Sequence, residues 1–152
     1  MVDATGAWSR VERERFLTES TIPMRLACRK PAGTLWMLSL WYRYDAGRFY
    51  CATERSADVV GFLRENPGVA FEVSTNEPPY RGVRGSGTTN IEPDPEKALL
   101  RTLVNRYLGD TESSLARRLL ADDRTEVTIE IEPDRLYSWD FSHRMRPVGT
   151  GT

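Results

Sequence analysis

The chain has 152 residues, of which 39% are hydrophobic and 28% charged, with a formal net charge of −1. That length and balance describe one ordinary globular domain and exclude the disordered and fibrous classes. Without a net basic field there is no global attraction for nucleic acid or anionic membrane, and the longest apolar run, LWMLSLWY at 35–42, is far short of a bilayer span.

Taken in chain order, residues 1–8 read as a loose tail. Ser9 and Glu12 have capping-box spacing, and a charged helix is expected from there to about Thr18. No charged start with an apolar core and small-residue cleavage site opens the sequence, so a cytoplasmic location is expected. After Pro23 come three strand-like segments, TIPMRLACR (21–29), TLWMLSLWYRY (34–44) and GRFYCAT (47–53), separated by turns at Pro31–Gly33 and Asp45–Gly47. The second is apolar on both faces: Trp36, Leu38, Leu40 and Tyr42 point one way, and Leu35, Met37, Ser39 and Trp41 the other. Two covered faces suggest that the second meets a helix, a partner subunit or a ligand, with homodimerisation the first expectation.

A helix follows over SADVVGFLRE, with Ser56 as its cap and Asn66-Pro67-Gly68 as its stop. Strand 68–75 leads to the glycine-bearing segment YRGVRGSGTT. Pro93 and Pro95 open a helix running to about Tyr107, a second short helix falls near 112–121, and the strand TEVTIEIE and the segment RLYSWDF close the domain. In TEVTIEIE, Val127, Ile129 and Ile131 alternate with Glu126, Thr128, Glu130 and Glu132, one face buried and one wet. Helices lie between runs of strands, so the fold class is mainly antiparallel β with a few helices, most simply a barrel. The domain is expected over 9–142, with a C-terminal tail at 143–152.

Cys28 and Cys51 read as small buried hydrophobes; no CxxC supports redox or zinc chemistry. The single histidine, His143, cannot build a multi-histidine metal site, so no metal is expected. Gly82, Gly85 and Gly87 do not follow the dinucleotide-binding order, and no helix comes after them. Two readings stay open for them. A barrel strand bends at the glycines, or the bare backbone admits a planar ring while Arg81 or Arg84 meets a phosphate. In a regular strand these arginines face opposite sides. Thr53-Glu54-Arg55-Ser56, at a strand-to-helix handover, is a candidate anion cradle against the alternative of a capped helix with surface charge. No paired carboxylates are placed for acid–base work, so no catalytic side chain is assigned.

Together, the helix-then-IPMRLAC opening, the hairpin TLWMLSLWYRYDAGRFYCAT, FLRENPGVAFEV, YRGVRGSG and LYSWDF resemble the pyridoxamine phosphate oxidase-like, flavin-binding split-barrel family. The resemblance implies a six-stranded split β-barrel that dimerises, with FMN, a deazaflavin coenzyme or haem in grooves at the subunit boundary. It implies cofactor contacts at Leu38, Ser39, Leu40 and Trp41, at Thr53, Arg55 and Ser56, at Arg81 and Arg84, and at Trp139 from the other subunit. Where many flavin-binding members carry a basic residue at the helix start, this chain reads Ala57-Asp58-Val59. The expected activity is a flavin- or deazaflavin-dependent oxidoreductase of a small-molecule substrate; a non-catalytic flavin or haem carrier or sensor is the alternative. Lys30 and Lys97 are the only lysines, too few among the aromatics for a nucleic-acid surface.

Overall fold

The run 34–44, expected as one strand, breaks at Trp41, and the break decides the architecture. The computed structural model describes residues 2–145. Its elements are β1 (Asp3–Gly6), α1 (Arg10–Glu19), β2 (Met24–Arg29), β3 (Leu35–Leu40), β4 (Tyr42–Asp45), β5 (Arg48–Glu54), α2 (Asp58–Glu65), β6 (Gly68–Ser74), β7 (Arg81–Pro93), α3 (Ala98–Leu108), α4 (Ser114–Leu119) and β8 (Glu126–Asp140). The strands form one sheet in the order β3-β2-β6-β7-β8-β5-β4, with β1 paired to β8. All pairings are antiparallel except that of β1, which runs parallel to β8. Thus β3 and β4 end the sheet on opposite sides, although only Trp41 separates them in the chain. One run of chain borders β2 with its first half and β5 with its second, so the sheet curls back toward itself. Counted once, with β1 set aside, that run gives the six barrel strands expected.

Alternation fills the interior. Met24, Leu26 and Cys28 of β2, Phe49 and Cys51 of β5, Val69, Phe71 and Val73 of β6, and Val127, Ile129, Ile131 and Leu136 of β8 are all buried. Phe49 sits at the middle, its ring centroid 5.7 Å from Tyr42, 5.0 Å from Tyr44 and 4.9 Å from Phe71. Both cysteines are free and buried, as expected, and burial pushes the Cys51 thiol up to about 12. Glu126 departs from the expected alternation. It is buried, and its Oε1 accepts from Arg124 Nε at 2.9 Å.

A second apolar cluster lies outside the barrel wall. Leu100 and Val104 of α3 and Ala116 of α4 pack with Trp41 and Ala52, and the Trp41 ring stacks on Tyr107 at 5.1 Å and 4°. At Trp41, then, the second apolar face of the long run is covered by helix. Before it, the outward residues are bare: Leu35 is 72% exposed and Met37 63%.

The helix ends follow local chemistry. The Ser9–Glu12 capping box of α1 is present in both directions. Three expectations are corrected. The cap of α2 is Ala57, with no side-chain bond, because the Ser56 hydroxyl and amide are both taken by the Glu54 carboxylate. The α3 helix starts at Ala98, since β7 continues to Pro93 and the Asp94 carboxylate accepts from the Ala98 and Leu99 amides at 3.0 and 3.2 Å. Finally, residues 3–6, read as loose tail, form a strand on β8. Most of the expected C-terminal tail, 146–152, lies outside the described residues. Among the described residues, no helix is long and apolar enough to cross a membrane.

The C-terminal end of α1 is held by α3. Arg106 donates to the carbonyls of Leu17, Thr18 and Ser20, and the Tyr42 hydroxyl donates to Leu17 O at 2.7 Å. A guanidinium there also complements the negative end of the helix dipole. Replacing Arg106 with Met keeps much of the volume and removes every donor. The expected loss is about 2 kcal/mol in urea unfolding. A change too small to measure would show that water serves those carbonyls equally well.

Candidate functional site

The alternation that fills the core also determines what faces outward on β3, β2, β6, β7 and the distal half of β8. Register then lines these residues up across strands. One row runs Met37, Ala27, Ala70, Ser86, Arg135, Asp3; the next runs Ser39, Arg25, Glu72, Arg84, Tyr137, Thr5. Between Met37 and Arg135 the first row contains only small side chains, which leaves a trough. A groove of about 550 Å³ opens there, lined by most of both rows together with Phe71, Gly85 and Leu136. That volume is within the usual range for small-molecule sites.

Charge in the groove comes from Arg25, Arg84 and Arg135 against Asp3 and Glu72. Arg84 lies 4.5 Å over the Tyr137 ring and 5.4 Å from that of Trp139, and the two rings stand 6.4 Å apart at 17°. This cation–aromatic stack fixes the guanidinium beside the trough. Glu72 Oε2 accepts from Ser74 Oγ at 3.0 Å, and Ser86 Oγ donates to Asp134 Oδ1 at 2.7 Å.

The residues singled out in the sequence are dispersed. Arg84 lines the groove and Trp139 flanks it through Arg84. Ser39 is outward in the row of Arg25 and Glu72, at the β3 edge. Leu38 and Leu40 pack against the barrel core, and Trp41 lies under α3. Thr53 pairs with Val127 on β8. Arg55 and Ser56 border a separate hollow at the start of α2, beside Asp58 and Pro31. Arg81 is opposite Asp140, on the far side of its strand from Arg84, and borders a third hollow with Ile22 and residues 75–79. Burial alone would raise the Asp140 carboxyl, but hydrogen bonds from Ser142 and Trp8 and the charge of Arg81 hold it below its usual value. Groove residues that sequence reasoning missed include Arg25, Ala27, Ala70, Glu72, Ser86 and Arg135. For Arg25, Ala27, Ala70 and Glu72 the signal was the outward phase of MRLACR and VAFEV, which becomes a site only once β2 and β6 are known to be neighbours.

The glycines have a structural explanation. A Cβ on Gly82 would fall 2.6 Å from Val73 O, on Gly85 2.2 Å from Arg135 O, and on Gly87 2.4 Å from Glu132 O. The space they leave is filled by β6 and β8 of the same chain, where the register shifts between Ser86 and Gly87. This favours the bent-strand reading. Among the described residues, no group of three or more His, Cys, Asp and Glu side chains is placed to hold a metal.

Comparison with solved structures bears out the architecture. A conserved hypothetical protein from Mycobacterium tuberculosis superposes with a TM-score of 0.74 at 23% identity, covering 96% of both chains. An F420 reductase gives 0.68 at 24% identity, covering 80% of this chain and 94% of that one. The fold is the split barrel. An FAD-binding protein from Mesorhizobium loti shares this split barrel with a TM-score of 0.61 at 21% identity, covering 86% of this chain and 93% of its own. No family model matches the chain, and no curated protein matches it.

Two alanine substitutions separate crowded glycines of the split barrel from an idle one. Gly85→Ala forces a methyl group onto a carbonyl oxygen and is expected to cost about 3 kcal/mol. Gly61→Ala in α2, with nothing within 4 Å of the new Cβ, is expected to gain about 0.5 to 1 kcal/mol. Thermal or urea unfolding reads both; a neutral Gly85→Ala would show that β8 yields and that crowding is not why this glycine is there.

Proposed function

We propose that the chain is a flavin- or deazaflavin-dependent oxidoreductase of a small molecule, its cofactor lying in the outer-face groove at the seam between two copies. The observation that carries this reading is the trough itself: a flat floor of Ala27, Ala70 and Ser86, with a cation at one end and a bare apolar strand at the other. Small side chains in a row admit a planar ring against the sheet, and Arg135 at the end of that row suits an anionic tail. The donor set and the cavity size therefore fit a flavin-type coenzyme. Among the structural neighbours, the F420 reductase supports a deazaflavin and the FAD-binding protein a flavin.

In this reading Ala27, Ala70 and Ser86 contact the ring face, and Arg135 holds the tail. Tyr137 and Trp139 keep Arg84 directed at the ring, and a second copy covers Leu35 and Met37 and excludes water. When bound, the coenzyme would supply hydride transfer, so no side chain of this chain need act as acid or base.

Titration with FMN and with F420, read by absorbance and fluorescence, tests the proposal. At least one is expected to bind, and reduced-coenzyme turnover with an artificial acceptor separates an oxidoreductase from a carrier. Arg135→Ala should weaken binding of the tailed coenzyme about tenfold or more while leaving tail-less lumiflavin unaffected. Protein that binds neither coenzyme rules the reading out.

The seam is tested separately. Wild-type protein is expected to sediment as a dimer at micromolar concentration, and Met37→Glu as a monomer, because an added charge on that face opposes burial. A wild-type monomer that binds coenzyme at full affinity would remove the second copy from the site.

A further inference from the structure

The row Arg25, Glu72, Arg84 carries charge that the fold does not use. Glu72 is directly opposite Arg25 on β2 and Arg84 on β7. Opposite charges facing each other across strands stabilise a sheet when they pair, and elsewhere on this sheet Arg48 reaches even its diagonal neighbour Glu130 at 2.6 Å. Here neither guanidinium forms an ion pair with Glu72. Each group is instead drawn elsewhere: Arg84 lies over Tyr137 at 4.5 Å, Arg25 Nη1 donates to Pro23 O at 3.3 Å, and Glu72 Oε2 takes the Ser74 hydroxyl at 3.0 Å.

What remains beside the groove is a donor, an acceptor and a donor in sequence: a guanidinium, Glu72 Oε1 and a second guanidinium. The outer two stand on strands about 10 Å apart, a span that long arginine side chains can narrow. The complement is a planar edge that presents acceptor, donor, acceptor. A cyclic imide has that order in its carbonyl, N–H and carbonyl. We propose that Arg25, Glu72 and Arg84 read the imide edge of a flavin or deazaflavin ring, with Glu72 accepting the imide N–H as the specificity-determining contact. This rests on the reading above that such a ring occupies the trough, and it adds which edge of the ring faces which residues. It also selects against haem, whose rim offers carboxylates and no N–H, so that Glu72 would meet an anion.

The test uses the full chain and whichever of FMN and F420 binds it, beside the same coenzyme methylated at the imide nitrogen. Methylation is expected to weaken binding to the wild type about tenfold or more, since it removes the donor and leaves a carboxylate unpaired. In Glu72→Ala the methylated and unmethylated forms bind alike. Glu72→Gln keeps the preference, because its amide oxygen still accepts, and unchanged unfolding midpoints show that both variants fold. Uridine monophosphate, which has the imide without the fused rings, is expected to bind at least about tenfold more weakly. Wild-type protein that holds both forms of the coenzyme equally overturns the assignment while leaving the coenzyme site intact. Equal affinity for uridine monophosphate overturns the choice of a flavin-type ring, and failure to bind either coenzyme removes the underlying reading and the inference with it.

Discussion

The fold depends on one run of chain, 35–45, serving both ends of the sheet. Its first half bonds to β2 and its second to β5, and Trp41 is the joint between them. A flat sheet with two free edges would expose unpaired amides and carbonyls on both. Here the same run borders both ends, and curvature follows from connectivity. The joint also divides the outside of the barrel. Beyond Trp41 the helices α3 and α4 cover the wall; before it the wall is open, and the groove is on that open half.

Core and site are two products of one register. Pairing that points Leu26, Phe71, Val83 and Ser138 inward necessarily sets their neighbours outward in matched rows. Nothing further is needed to bring Arg25, Glu72 and Arg84 together, although they come from three separate parts of the sequence. The small residues on the floor cost the core nothing, since they are on the other face.

Much of the barrel was legible because its signals are local. The capping box at Ser9, the hairpin turns, the helix stop at Asn66-Pro67-Gly68 and the alternation in β8 each depend on residues a few positions apart. β1 was not legible: DATG is short and fully exposed, and its parallel pairing with β8 joins opposite ends of the described chain. The groove was legible in Arg84 and in the second apolar face that carries Met37, with Trp139 at its flank. Attention fell on the glycines, whose missing side chains answer to strands of the same chain, whereas the vacant floor comes from alanines that carry no local signal. The handover at Thr53–Ser56 left an anion cradle and a capped helix both open, because a helix start suggests the first; in the fold Glu54 occupies the Ser56 donors.

The extra residue in β8 has a consequence for how this sequence can change. Ser86 is opposite Arg135 and Gly87 is opposite Pro133, so Asp134 has no partner of its own, and Asp134 and Arg135 both face solvent in succession. Before this point odd-numbered residues of β8 face the core; after it even-numbered ones do, as buried Ile129, Ile131, Leu136 and Ser138 attest. Deleting Asp134 would merge the two phases into one unbroken alternation, Pro133 in, Arg135 out and Leu136 in, with Ser138 still inside and Tyr137 and Trp139 still outside. The strand thus has one place where its length is free: a lineage can lose the Asp134 codon and keep both faces, whereas a codon lost between Leu136 and Trp139 reverses the residues beyond it and takes Trp139 from beside Arg84.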